Sequence, residues 1–364
     1  MRKLGQKYSE LSMQGRLYSS GELKALSAKM IGNAEIPEWE KAIYRFIGEW
    51  LNNAEYVEVK TSGSTGVPKK LKISKARMIA SAMATNHFFD LKAGKEALLC
   101  LSADYIAGKM MLVRAFVGGF ALDYCQPSAN ALLKNKKQYD FTAVVPMQVE
   151  TTLKTNIAAF ERVRTYIVGG AALRTDLIEH LYALPSVFWS TYGMTETITH
   201  VALQVLNGKR KTDYYQALEG VKFDKDARSC LRILAPRLSD EAIQTNDLVD
   251  LINEQQFRFL GRADFVINSG GIKLFPEQLE QKISLLLTEK YAFSSVKDMR
   301  LGEKLVLVVE GKLAEEKKQK LLIEMHSFLT SYEQPKAIYC IKMLPVTLND
   351  KIDRKALRSM VEML

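Results

Sequence analysis

From residue 55 onward the chain alternates between two textures. Short runs rich in apolar and β-branched residues, ALLCLS (97–102), FALDY (120–124), FTAVVP (141–146), RTYIVGG (164–170) and SVFWSTYG (186–193), read as strands. Between them KARMIASAMATNHFF, AGKMMLVRAFVG, MQVETTLKTN and LRTDLIEHLYAL read as helices. Such alternation predicts an α/β fold with a largely parallel sheet, and parallel sheets place ligands at the carboxyl ends of their strands. YIVGG and WSTYGMTE both end strands with glycine and polar residues, as a site there requires. Residues 1–55 are predicted to be mainly helical, through GELKALSAKM and then PEWEKAIYRFIGEWL, with Pro37 near the start of the second helix.

Around QFRFLGRADFVINSGGIKLFP the texture changes, and a hairpin flanked by glycines is predicted. Beyond it lie helix PEQLEQKISLLL, strands SSVKDM and KLVLVVEG, helix EEKKQKLLIEMHSFLT, strand AIYCIKML and a last helix from Asp353. The expected division is a large α/β domain over 1–262 and a small, mobile α+β domain over 263–364. The run EEKKQK is read as a solvated helix face, and no internal repeat or low-complexity segment interrupts the pattern.

Composition narrows the class. With 47% hydrophobic and 25% charged residues in 364, the chain has the make-up of an ordinary soluble globular protein. No apolar run approaches the roughly eighteen residues of a spanning helix, so membrane insertion is not expected. No apolar stretch follows MRKLGQKYSELSMQG, so a signal peptide is not expected either. Cys100, Cys125, Cys230 and Cys340 are scattered and form no C-x-x-C pair, which argues for free thiols in a reducing, cytoplasmic setting and against zinc. The net charge of +10 is spread along the chain. Its local knots, KNKK and GKRK, lack interleaved aromatic residues and read as solvated surface, so nucleic acid is not an expected partner. Polyanionic small molecules suit a positive surface equally well.

The stretch TSGSTGVPKK (61–70), between the strand-like YVEV and LKIS, is the first candidate for chemistry. It is not a Walker A loop: counting from Gly63, Pro68 stands where the second glycine belongs, and Leu71 follows the lysine pair. Gly63 and Gly66 free backbone N–H groups to turn toward an anion, Thr61, Ser62, Ser64 and Thr65 add hydroxyls, and Lys69 or Lys70 adds a charge. Taken by themselves, these residues suit an anion cradle and a flexible turn about equally.

Three further segments follow in order: STYGMTET (190–197), LGRADFVINSGGIKLFPEQLE (260–280) and LNDKIDRKAL (348–357). Together with the loop they resemble the adenylate-forming superfamily of acyl-CoA synthetases, luciferases and peptide-synthetase adenylation domains. The resemblance runs from about residue 57 to the C-terminus, behind an N-terminal portion shorter than the family's usual one. It implies an ATP- and Mg²⁺-dependent acid–CoA ligase working through an acyl-adenylate. An aromatic dicarboxylic acid such as o-succinylbenzoate, the acid of menaquinone synthesis, is the favoured substrate. Another aryl or medium-chain acid, or a carrier protein loaded in place of CoA, is the alternative, and self-association into a homo-oligomer stays open.

The resemblance assigns Thr61, Ser62, Gly63, Ser64, Thr65, Gly66 and Lys69 to the ATP phosphates. Tyr192 would pack on adenine beside Gly193, with Gly169, Gly170 and Ala171 as the backbone edge along it. Thr195 would bond the α-phosphate and Glu196 would hold Mg²⁺. Asp247 would accept from the ribose hydroxyls, with Arg262 nearby and Asp264 as the hinge between domains. Asn246 stands where the family keeps glycine before that aspartate, and asparagine tolerates left-handed backbone. Lys351, after Asp350 where the family has glycine, is the expected catalytic lysine of the first step. Gly270 and Gly271 are expected to line the CoA channel in the second. Tyr105 is the expected gate of the acid pocket, and Lys109, ahead of Arg114, the expected cation for a spare carboxylate.

Overall fold

The computed structural model describes residues 8–60, 70–134, 136–347 and 352–363, and it turns the predicted alternation into a thirteen-stranded sheet. The chain opens with β1 (Leu11–Met13), β2 (Arg16–Tyr18), α1 (Ser20–Gly32) and α2 (Glu38–Trp50). A separate antiparallel pair, β3 (Tyr56–Lys60) and β4 (Lys70–Ser74), leads into α3 (Lys75–Phe89). Then come β5 (Glu96–Leu99), α4 (Ile106–Gly118), β6 (Ala121–Tyr124), β7 (Tyr139–Val144), α5 (Pro146–Thr155), β8 (Val163–Val168), α6 (Thr175–Leu181) and β9 (Val187–Gly193). The sheet continues through β10 (His200–Val205), β11 (Tyr215–Ala217), β12 (Lys222–Lys225), β13 (Cys230–Leu234), β14 (Ile243–Asn253) and β15 (Gln256–Arg262).

The α/β fold expected from the sequence is present, but its sheet has two halves. Strands β1, β6, β5, β7, β8 and β9 are mutually parallel, and α4, α5 and α6 carry the chain back from β5 to β6, β7 to β8 and β8 to β9. Beyond β9 the crossover helices stop, and β10 to β15 pair antiparallel. Strand alternation sends Leu99 to the side covered by α3 and α4, and Leu98 and Cys100 to the side covered by α5 and α6.

The N-terminal reading needs one correction. Residues 11–18 are not helical: they form the hairpin β1–β2, which extends the sheet beyond β6. Gln14 and Gly15 both take positive φ (50° and 76°), the geometry of a two-residue turn that matches strand twist. Strands of three residues are too short to show a period in the sequence. The two helices that follow were legible: Ser19 and Glu22 cap α1 reciprocally, and α2 buries Ile43, Phe46, Ile47 and Trp50 on one face.

The C-terminal unit has its own sheet and core. It contains β16 (Ile267–Ser269), β17 (Ile272–Leu274), α7 (Pro276–Lys282), β18 (Tyr291–Asp298), β19 (Gly302–Glu310), α8 (Glu315–Met325), β20 (Ile338–Ile341) and α9 (Arg354–Val361). Arg354 ties α9 to α7: its guanidinium meets Glu280 at 3.0 and 2.7 Å, lies 3.4 Å from Glu277 and sits over the Phe265 ring. Burial pushes the Glu277 carboxyl above its ordinary value, and one cation thus serves two acids. Arg354→Met leaves both without a counter-charge, Glu280 keeping only the Phe293 N–H, and is expected to cost the C-terminal unit about 3–5 kcal/mol in urea unfolding. A loss below about 1 kcal/mol would show that the pair does not hold these helices together.

Candidate active site

The turn between β9 and β10 begins where the chain can least accept a side chain. A Cβ on Gly193 would lie 2.2 Å from the Thr199 carbonyl oxygen and 2.6 Å from the His200 Cα. Buried Thr197 braces the turn: its hydroxyl accepts from the Met194 N–H at 2.9 Å and lies 2.6 Å from the Thr199 carbonyl. Ile198 is forced to a φ of 68°. The effect is to present Thr195, half-buried, and Glu196, exposed, on the outer side of the turn. Among the described residues Glu196 has no ion-pair partner.

Tyr192, one residue before Gly193, points inward. Its hydroxyl donates to Asp247 Oδ2 at 2.5 Å, and its ring packs against Phe257 and Tyr215. Burial and the Asp247 charge push the Tyr192 hydroxyl well above the ordinary tyrosine value, so it remains a donor. Asp247 and Arg262 face each other across the β14–β15 ladder, with Arg262 Nε 3.4 Å from Asp247 Oδ1 and Nη2 3.1 Å from Asp264 Oδ2. Asn246 needs no left-handed backbone: it lies within β14, reaches Asp264 at 3.3 Å and accepts from Arg228 at 3.1 Å. Asp264 itself sits on a single 3₁₀ turn, Ala263–Phe265.

At the end of β8, a Cβ on Gly169 would lie 3.0 Å from Thr191 Oγ1, Gly170 has a φ of 87°, and Ala171 is exposed. The carboxyl ends of β8 and β9 and the β14–β15 ladder therefore bring together Gly169, Tyr192, Gly193, Asp247, Arg262 and Asp264. Gly270 and Gly271 form the two-residue turn of β16–β17, with φ of 59° and 82°. Residues 61–66, Lys69 and Lys351 lie outside the described residues. The flanking structure is described: β3 and β4 are in register up to Lys60 opposite Lys70, and a bridge joins Val346 to Ile352.

The cations expected near the acid pocket have contrasting surroundings. Tyr105 caps α4 and is 55% exposed. Lys109, a turn later, already has partners: Nζ lies 3.1 Å from the Glu58 carbonyl and 3.4 Å from Glu49, and over the Phe46 ring. Arg114 is 2% exposed, and among the described residues no carboxylate pairs with it. Its Nη1 finds only the Met111 sulfur at 3.7 Å, and its buried Nε finds nothing. Burial pulls its pKa down to about 10, so it is still a cation at neutral pH.

Arg114 has neighbours that sequence reading did not single out. Asn86 Nδ2 donates to the Arg114 carbonyl at 2.9 Å while Asn86 Oδ1 is left without a partner. Buried His200 meets Thr85 Oγ1 at 3.1 Å, and Ser81 meets Thr199 at 2.8 Å. A lone histidine at the start of a strand carries no motif. Only the packing of α3, α4 and β10 brings Thr85 to His200 and Asn86 to the backbone of Arg114.

Comparisons with known proteins fit this geometry. Residues 60–221 match the family described as AMP-binding enzyme. The crystal structure of an acyl-CoA synthetase (AMP-forming)/AMP-acid ligase II-like protein from Dyadobacter fermentans is 36% identical, with 92% of this chain and 97% of that one covered and a TM-score of 0.62. The 2-succinylbenzoate–CoA ligase of Lactococcus lactis is 25% identical, covering 83% of this chain and 70% of its own length. An o-succinylbenzoate CoA synthetase from Bacillus subtilis, solved with ATP and magnesium, shares the fold at 17% identity, with 96% of each chain covered and a TM-score of 0.70.

The Gly193 contact yields a direct expectation. Gly193→Ala forces backbone apart at three atoms of Thr199 and His200 and is expected to cost about 3 kcal/mol or more in urea unfolding. An unchanged midpoint would contradict the described turn.

Proposed function

We propose that this chain, which belongs to the adenylate-forming acid–CoA ligase family of AMP-binding enzymes, joins 2-succinylbenzoate to CoA. A substrate carboxylate oxygen attacks the α-phosphorus of ATP, the bond to the β-phosphate oxygen breaks, and pyrophosphate leaves. The CoA sulfur then attacks the acyl carbon of the adenylate, forming the thioester and releasing AMP. Both partners of the first step are anionic, so the chain's work is positioning and charge neutralisation.

In this reading the 61–66 segment and Lys69 hold the β- and γ-phosphates. Gly169, Gly170, Ala171, Tyr192 and Gly193 border the adenine, and Asp247 with Arg262 meets the ribose. Thr195 donates to the α-phosphate. Glu196 fits magnesium, since a lone exposed carboxylate completed by phosphate oxygens and water is a normal environment for that ion. When bound, the ion would neutralise polyphosphate charge. Residues 263–364 form the small domain, which turns about Asp264 to bring in Lys351 for adenylation and Gly270 and Gly271 for thioester formation. Tyr105 gates the acid pocket. The substrates ATP and CoA suit a cytoplasmic enzyme, and 2-succinylbenzoate would place it in menaquinone synthesis.

The choice of acid rests on Arg114. A guanidinium buried with no counter-charge is costly unless a ligand supplies one, and the second carboxylate of a diacid does so. Lys109, whose ammonium is engaged with Glu49 and the Glu58 carbonyl, is assigned here to holding α4 against β3.

Single-turnover assays are expected to release pyrophosphate with 2-succinylbenzoate, not with benzoate or octanoate, and to form thioester only when CoA is added. Release with another acid keeps the mechanism and rejects the substrate. Arg114→Met is expected to lower kcat/KM for 2-succinylbenzoate by roughly thirtyfold or more, equivalent to about 2 kcal/mol, with little effect on any residual benzoate turnover. Equal losses for both acids would remove Arg114 from substrate recognition.

A further inference from the structure

The thirteen-stranded sheet ends at Arg262 and the C-terminal sheet begins at Ile267, so residues 263–266 join two units with separate cores. Strands β14 and β15 run antiparallel with Asp247 opposite Arg262, which sets Asn246 beside the first residues of that link. Strand alternation buries Thr245 and Asp247 and turns Asn246, between them, to the other face. There its amide lies between a cation and an anion. Arg228 Nη1 donates to Asn246 Oδ1 at 3.1 Å, and Asn246 Nδ2 faces both carboxylate oxygens of Asp264 at 3.3 and 3.4 Å. A guanidinium only donates and an ionised carboxylate only accepts, so both neighbours require the same orientation of the amide.

Arg228 is itself fixed. It projects from the turn between β12 and β13, where its Nε donates to Asp226 at 2.9 Å and its Nη2 to the Thr245 carbonyl at 3.3 Å. From the other side Arg262 Nη2 donates to Asp264 Oδ2 at 3.1 Å. Asp264 is therefore held from β14 by a neutral donor and from β15 by a charged one. Glycine, which the resembled family keeps before the aspartate, has no group to make either bond of Asn246.

We infer that Asn246 is a positioning residue for the two-step reaction: its amide holds Asp264, and with it the link between the units, in the orientation described. This rests on the ligase reading above and deepens it, by naming what sets the balance between the adenylating and thioester-forming arrangements. Turning about Asp264 redirects its carboxylate, so the bond belongs to one arrangement. A contact made in one arrangement and absent from the other shifts their populations by its own free energy.

The test is isosteric. Asn246→Asp keeps the acceptor for Arg228 and sets a carboxylate against Asp264; adding Asp264→Asn restores a donor–acceptor pair with the roles exchanged. Hydrogen exchange of the amides of residues 263–266 in the full chain reads the hold without substrate. Exchange is expected to rise about fivefold in Asn246→Asp, by less in high salt, and to return in the double variant. The ratio of pyrophosphate exchange to thioester formation from preformed adenylate, with 2-succinylbenzoate, should also move by about fivefold and return likewise. Should Asn246→Asp fail to fold, Arg228→Ala, at a side chain 58% exposed, frees the same amide and is expected to move both readouts the same way. Unchanged linker exchange, or both steps lowered in equal proportion, overturns the positioning role and leaves the ligase reading standing. No pyrophosphate exchange with 2-succinylbenzoate in the unaltered chain removes the ligase reading, and linker exchange alone then decides whether Asn246 holds Asp264.

Discussion

The close approach of β9 to the strand that follows it is the constraint on which the rest of the site depends. With no side chain at residue 193, the backbone of β9 can lie against Thr199 and His200, closer than any Cβ allows. The short, Thr197-braced turn that results decides what faces where. Thr195 and Glu196 are turned outward, Tyr192 inward to Asp247, and His200 is buried beside Thr85. One strand-to-strand contact thus sets the proposed phosphate and ribose ends of the site together.

Two arginines out of bulk solvent have opposite surroundings. Arg354 has two carboxylates and an aromatic ring around it, and its charge is spent on joining α7 to α9. Arg114 is buried at least as deeply, yet it has a thioether for a partner and an idle Nε. Holding an ion in apolar surroundings costs several kcal/mol when nothing opposes its charge. In the proposed reading the same cost would make the site selective, because a ligand that brings the missing charge recovers it while a neutral isostere does not.

Much of this was legible in the order of residues. Strands β5 to β9 and the helix at residues 75–89 follow from patterns that the chain states over four to fifteen residues. Tyr192, Asp247, Arg262 and Asp264, drawn from three separate segments, do meet in space. What escaped has physical causes. The β1–β2 hairpin is too short to display a period, and the antiparallel half of the sheet depends on connections without helices. Asn246 seemed to require an unusual backbone and instead bonds sideways to Asp264 and Arg228. Lys109 and Arg114 are close in sequence and alike in charge. Only packing reveals that the first is neutralised by Glu49 and the second by nothing described.

The claim that a buried, unopposed Arg114 reads the spare carboxylate of the substrate is tested most directly by altering the acid and leaving the protein intact. Pyrophosphate release should be compared for 2-succinylbenzoate and for its methyl ester at the carboxylate that is not activated. Loss of that one charge is predicted to lower kcat/KM by about a hundredfold, near the cost of leaving a buried ion unpaired. Equal rates for the acid and the ester would contradict the account.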